Sequence, residues 1–141
     1  MTAFLQEGGC HCGALRYKLT KLPLRTLICH CTDCQRISGS AFGISVVCVE
    51  AAFSLSGTPK HVARMLGSGA TGIRWTCSSC GVWICGDAKP DLATNLTRRI
   101  VRGGTFDSTS WIKPDMHVWT RSAQPWIKIP TDIRSYPMNA T

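Results

Sequence analysis

The sequence predicts a mainly β fold with at most one or two short helices, and three observations carry that prediction. Apolar residues come in short alternating runs, 13 glycines and 7 prolines interrupt them, and no window sustains a long apolar stripe at helical spacing. The alternation of Leu15, Tyr17 and Leu19 predicts a first strand, and Ile44, Val46 and onward to Val49 a second. Further strands are expected at 52–55, 61–66, 73–77, 82–85, 99–102 and 116–120. One short helix is expected, with Thr32 capping a turn through Asp33, Cys34, Gln35 and Arg36 that the Gly39 region ends. Gly57-Thr58-Pro59, Gly67-Ser68-Gly69 and Gly103-Gly104 mark turns, and Pro114, Pro125, Pro130 and Pro137 punctuate an irregular final third. The five tryptophans are expected to fill the sheet core.

A length of 141 residues fits one domain, with a core over about 6–129 and a polar, loosely held tail over 130–141. No basic segment followed by a long apolar run opens the chain, and no stretch approaches the ~18 apolar residues of a membrane span. A soluble, cytoplasmic protein is therefore expected. The formal charge of +8 invites a nucleic-acid reading. Seven metal-bound thiolates with two Zn2+ would bring it to about +5, because a coordinating thiol is deprotonated. Only Arg98, Arg99 and Arg102 resemble a basic patch, and a solvated strand face explains them equally well, so nucleic acid is disfavoured as a partner.

Seven of the nine cysteines fall into three groups: Cys10-x-Cys12, Cys29-x-Cys31-x2-Cys34 and Cys77-x2-Cys80. A disulfide across Cys-x-Cys is strained, whereas positions i and i+2 of an extended strand share a face and grip one ion together. A closed zinc site takes four thiolates, and a reactive one takes three with a position left for water or a thiol. Cys10 and Cys12 are the natural partners of Cys77 and Cys80; the alternative pairs Cys77 and Cys80 with two of the triplet. Cys29 and Cys31 end a strand, Cys34 opens the helix, and all three converge on a second ion. A second structural zinc, completed by Cys48, Cys85 or a histidine, is the competing reading of that triplet. Cys48 and Cys85 sit in apolar strands as small hydrophobes, and His11 and His30 point away from the face their flanking cysteines share.

Four stretches carry a family resemblance: residues 8–17 (GGCHCGALRY), 29–36 (CHCTDCQR), 38–42 (SGSAF) and 77–81 (CSSCG). They resemble the glutathione-dependent formaldehyde-activating enzyme family, also called the centromere protein V/GFA domain. Gly104-Thr-Phe-Asp107, His117-Val-Trp119 and Trp126 are similar to later elements of that family, with Ser108 standing where a second aspartate is usual. The resemblance implies an Mss4-like fold of stacked antiparallel sheets, a β-tent, with two zinc ions. It assigns Cys10, Cys12, Cys77 and Cys80 to the structural ion and Cys29, Cys31 and Cys34 to the catalytic one. It also implies a carbon–sulfur lyase activity that joins glutathione to formaldehyde as S-hydroxymethylglutathione.

The mechanism this suggests is capture of a thiol such as glutathione beside the triplet, close to an incoming aldehyde. A cation should offset the charge gained by a four-thiolate zinc. Arg36 is the first candidate for that role or for a glutathione carboxylate, against the reading of a plain surface arginine. Ser38, Gly39 and Ser40 offer hydroxyls and amides to a peptide, although a helix-ending turn accounts for them without one. His117 is placed to polarise an aldehyde or, more simply, to pack in a strand, and Asp107 to cap a turn. Two other functions compete: a non-catalytic glutathione or zinc carrier, and a zinc-bearing interaction module docking through Arg98, Arg99 and Arg102.

Overall fold

The computed structural model describes residues 3–65, 69–90 and 92–140. Within them eleven strands form two sheets, joined by one α-helix and three short 3-10 turns. The mainly β expectation is borne out. β1 (Gln6–Gly9), β2 (Arg16–Leu19) and β5 (Phe53–Ser56) make a three-stranded antiparallel sheet in the order β1-β2-β5. The larger sheet has eight strands: β3 (Arg25–Cys29), β4 (Gly43–Val49), β6 (Lys60–Met65), β7 (Thr71–Thr76), β8 (Trp83–Ala88), β9 (Arg98–Arg102), β10 (Met116–Val118) and β11 (Arg134–Ser135). Their order is β11-β10-β3-β4-β9-β8-β7-β6. Leu66 of the expected 61–66 strand, and Gly67 and Ser68 of the following turn, lie outside the described residues.

Two-residue alternation decides which side chains meet. Leu15, just before β2, and Tyr17 and Leu19 on it pack on Val46, Cys48, Ile84, Cys85 and Val101 from the large sheet, all at most 2% exposed. Phe106 closes this core edge-on to Tyr17, with ring centroids 5.2 Å apart. A Cβ on Gly8 would collide with Tyr17 and the Thr105 carbonyl, so glycine is what lets β1 approach the 103–105 turn. The small sheet therefore covers one face of the large sheet, and the other face is free to line a cavity.

Three expectations need correction. The large sheet is mixed: β10 runs parallel to both β3 and β11. Parallel pairing needs a long connection between strands, and the 30–115 and 119–133 segments provide it for β10. The tail is docked, because Tyr136 donates its N–H to the His117 carbonyl while Trp119 and Thr120 donate theirs to Met138 and Tyr136. The tryptophans border the core rather than fill it: Trp75 and Trp111 pack half-buried against the main cluster and Trp119 against a smaller one, while Trp126 is 69% exposed. Trp75 and Trp83 serve as platforms for arginines, with the Arg99 Cζ 4.0 Å from the Trp75 ring centroid.

Candidate functional site

The chain brings the seven cysteines together as four and three. Cys10, Cys12, Cys77 and Cys80 place their sulfurs within 4.8 Å of one another. Cys10 to Cys12 and Cys12 to Cys77 are both 3.7 Å. A tetrahedron with metal–sulfur bonds of 2.3 Å has edges of about 3.8 Å, so this spacing fits one ion held by four sulfurs. Cys10 and Cys12 lie in a turn rather than on a strand, and the Leu15 N–H donates to the Cys10 sulfur at 3.3 Å. The Cys77–Cys80 loop closes through the Gly81 N–H, which donates to the Cys77 carbonyl at 2.9 Å with Gly81 at φ 80°. Backbone N–H donation from Val82 draws the Cys80 thiol down to about 6.

Cys29, Cys31 and Cys34 form the second group, again with sulfurs within 4.8 Å of one another. Cys29 ends β3, and Cys34 lies in the first turn of α1 (Thr32–Ser38). Cys31, not Thr32, caps that helix, its sulfur accepting from the Cys34 N–H at 3.3 Å. A thiolate is the better acceptor for an orphan helix amide, so the ligand loop and the helix cap are one feature. Gly39 in the left-handed region, φ 60°, ends the helix as expected. Hydrogen bonds with Cys29 and Cys34 push the Cys31 pKa down, and those with Cys31 and Cys34 push that of Cys29 up. Three close sulfurs of which one readily ionises form a donor set that a cation would complete. Among the described residues, no fourth histidine, cysteine or carboxylate joins them.

The triplet opens on a cavity of about 530 Å³, the size of a small-molecule pocket. Strand register explains its lining. Cys29 pairs with Gly43, Ser45 with Arg102, Ile100 with Gly86, and Gly86 with Arg74, so these positions fall on one sheet face. A register shift between Trp75 and Thr76 sets Thr76 opposite Trp83 and turns the indole onto that face. There the Arg102 and Arg74 guanidinium carbons lie 4.2 and 4.8 Å from the Trp83 ring centroid.

Arg102 is the cation at the sulfurs. It is 9% exposed, and its Nη1 donates to Ser45 Oγ at 3.0 Å. Burial lowers its pKa, while Cys34, Cys29 and Cys31 act in the opposite direction by favouring the guanidinium charge. The sequence assigned this role first to Arg36, which borders a different groove with Gly39, Gln124 and Trp126. Ser38 donates to the Phe42 and Gln35 carbonyls and borders a third groove. None of these three residues lines the cavity at the triplet. At 100° per residue, the helix turns Arg36 about 160° away from Cys34, while Ser38, at the helix end, has its hydroxyl tied to the Gln35 and Phe42 carbonyls.

The basic stretch is divided rather than continuous. Arg99 faces the core side of the sheet, 6% exposed, with its guanidinium shared between Asp87 and Glu50. His117 also lies outside the cavity lining: it is buried, and its Nδ1 is 2.8 Å from Nε2 of the fully buried His30. Burial lowers the pKa of both imidazoles, favouring a neutral pair with one shared proton. Gln35 locks the loop between them, donating to the His30 and Ser122 carbonyls at 2.8 and 2.9 Å. Asp107 pairs with Arg16 on the surface. Cys48 and Cys85 stay in the core, apart from both sulfur groups. Sequence reasoning passed over Arg64, Arg74 and Trp83, whose shared face emerges only from register and bulge.

Fold and site together define a small β protein whose two cysteine clusters are arranged to take metal ions. Its sequence matches the profile of the glutathione-dependent formaldehyde-activating enzyme family over residues 5–122, and the chain belongs to that family. The structure is similar to the crystal structure of a Rhodobacter sphaeroides protein, a structural-genomics target, at a TM-score of 0.52 and 18% identity. That match covers 77% of this chain and 91% of the other, a likeness of fold alone. No curated protein matches the sequence. No helix among the described residues is long and apolar enough to cross a membrane.

Proposed function

We propose that this protein is a zinc enzyme of the carbon–sulfur lyase type. It binds glutathione or a related thiol beside Cys29, Cys31 and Cys34 and promotes its addition to formaldehyde or another small electrophile. The observation that carries the reading is a three-sulfur group, open to a cavity, that no fourth donor among the described residues completes. Family membership supports the same chemistry. Four sulfurs at Cys10, Cys12, Cys77 and Cys80 suit a structural zinc, which brings the count to two ions per chain.

Zinc at the triplet would supply the fourth coordination position and keep a bound thiol ionised at neutral pH. The chain's part is to place and balance that charge. Arg102, held by Ser45 and the Trp83 ring, offsets the negative charge that a fourth sulfur adds. The cavity walls hold thiol and aldehyde together, converting a bimolecular encounter into a local one. In the reaction the sulfur bonds to the aldehyde carbon, the carbonyl π pair moves to oxygen, and that oxygen takes up the proton the thiol gave up.

The test is to measure zinc per chain in the parent and in Cys31→Ala, then titrate cobalt-substituted forms with glutathione while following metal–sulfur absorbance. Two metals in the parent and a glutathione-dependent band lost in the variant are expected. One metal per chain with no response to glutathione would overturn the proposal. Glutathione binding without faster exchange of formaldehyde than buffer alone would leave a carrier instead of an enzyme.

A further inference from the structure

The cavity holds more positive charge than the sulfurs use. Four arginines line it, Arg64, Arg74, Arg102 and Arg121, against two carboxylates, Asp33 and Asp87. Both carboxylates are engaged: Asp33 accepts from Arg64 at 2.7 Å, and Asp87 pairs with Arg99, which faces the other side of the sheet. Arg102 serves the sulfurs. Arg121 is exposed and stacks over Trp119 at 5.0 Å, where water screens its charge.

Arg74 is the cation left over. It sits half-buried on β7 beside Trp83, and no carboxylate among the described residues pairs with it. Its Nε is buried without a hydrogen-bond partner. Burial, Arg64 and Arg102 disfavour its charge by more than Asp33 and Cys34 favour it. A fixed, partly desolvated guanidinium with an unsatisfied donor is stabilised strongly by an anion, and its planar fork matches a carboxylate. Gly86, its partner on β8, and Gly72, two residues before it, leave the floor beside it without side chains. Arg74 and Cys29 share the sheet face and line the same cavity, which therefore presents both the sulfurs and the guanidinium to a ligand.

We propose that Arg74 is a specificity-determining residue that binds a carboxylate of the incoming thiol, so that the site selects carboxylate-bearing thiols over neutral or cationic ones of the same size. This rests on the reading of the triplet as a thiol-accepting metal site. The test is calorimetric titration of the zinc-loaded protein with 3-mercaptopropionate, 2-mercaptoethanol and cysteamine, with affinities expressed per thiolate. The parent is expected to prefer 3-mercaptopropionate over 2-mercaptoethanol at least tenfold, about 1.4 kcal/mol, and to bind cysteamine most weakly. Arg74→Gln should bring the first two within about twofold, by weakening 3-mercaptopropionate alone, and Arg74→Lys should restore part of the preference.

Equal affinities in the parent, or a preference that survives Arg74→Gln, would overturn the assignment while leaving the thiol site intact. If none of the three thiols binds, the metal-site reading fails and takes this one with it. The parent's own ratio tests the claim even if the glutamine variant folds poorly.

Discussion

At the residue scale the key contact joins Arg102, Gly43 and Cys34. A Cβ on Gly43 would collide with the Arg102 guanidinium and come within 3.3 Å of the Cys34 Cβ. Glycine is required there because cation and sulfur meet directly above that backbone. Arg102 is almost wholly buried, so removing its charge leaves the sulfurs with no desolvated counter-ion and a bound thiolate loses its nearest compensation. Arg102→Met is therefore expected to weaken glutathione binding at least tenfold, about 1.4 kcal/mol, while retaining the metal at Cys10, Cys12, Cys77 and Cys80. Gly43→Ala should give the same pattern through displacement rather than deletion. Glutathione titration of both variants, with zinc counted per chain, checks this; a variant with parental affinity would remove Arg102 from the binding machinery.

At the element scale the C-terminal segment completes the cavity. Trp119 lines it with a left-handed backbone, φ 57°, a conformation that costs a bulky L-residue about 1–2 kcal/mol. Two clamps from the tail hold it: its N–H donates to the Met138 carbonyl at 2.9 Å and its indole Nε1 to Asn139 Oδ1 at 2.8 Å. Deleting the chain after Pro130 removes both, together with β11. Such a truncation is expected to stay folded around the main core, lower the urea midpoint and weaken thiol binding several-fold, with circular dichroism and titration as the readouts. The tail's role was not legible in the sequence, since a two-residue strand leaves no alternation to read. β1 was equally silent, because Gly8 and Gly9 have no side chains to show a pattern. By contrast β2, β4 and β9 were readable, each having one face toward the core. The sulfur grouping was legible from spacing alone. Its cations were not, because Arg74 and Arg102 are 28 residues apart and meet only through two strand pairings and the bulge that presents Trp83.

At the scale of the whole molecule two sets of cysteines respond to pH in opposite directions. Cys12 and Cys77 are 65 positions apart, so an ion joining them closes a loop whose entropy otherwise opposes folding, by roughly 4 kcal/mol if it acts as a covalent cross-link does. That stabilisation needs thiolates and is lost toward acid. The core between the sheets behaves conversely. Burial raises Cys48 to about 11 and Cys85 to about 12, and pushes Tyr17 above the ordinary phenol range although its hydroxyl is 2.8 Å from Thr105 Oγ1. Each folded pKa lies above its unfolded value, so as pH rises the folded state keeps protons that the unfolded state has already lost. Stability from these groups is complete below about pH 9 for the thiols and pH 10 for the phenol, and falls as pH climbs toward 12. We expect a urea midpoint that is level from pH 7 to 9 and drops steadily above 9. In a zinc-loaded Cys48→Ala, Cys85→Ala variant, scaled to its own neutral value, the decline should begin only near pH 10, where Tyr17 is the one raised group left between the sheets. A parent midpoint that rises above pH 9, or a variant that falls with the parent's profile, would show that these buried thiols do not govern alkaline stability.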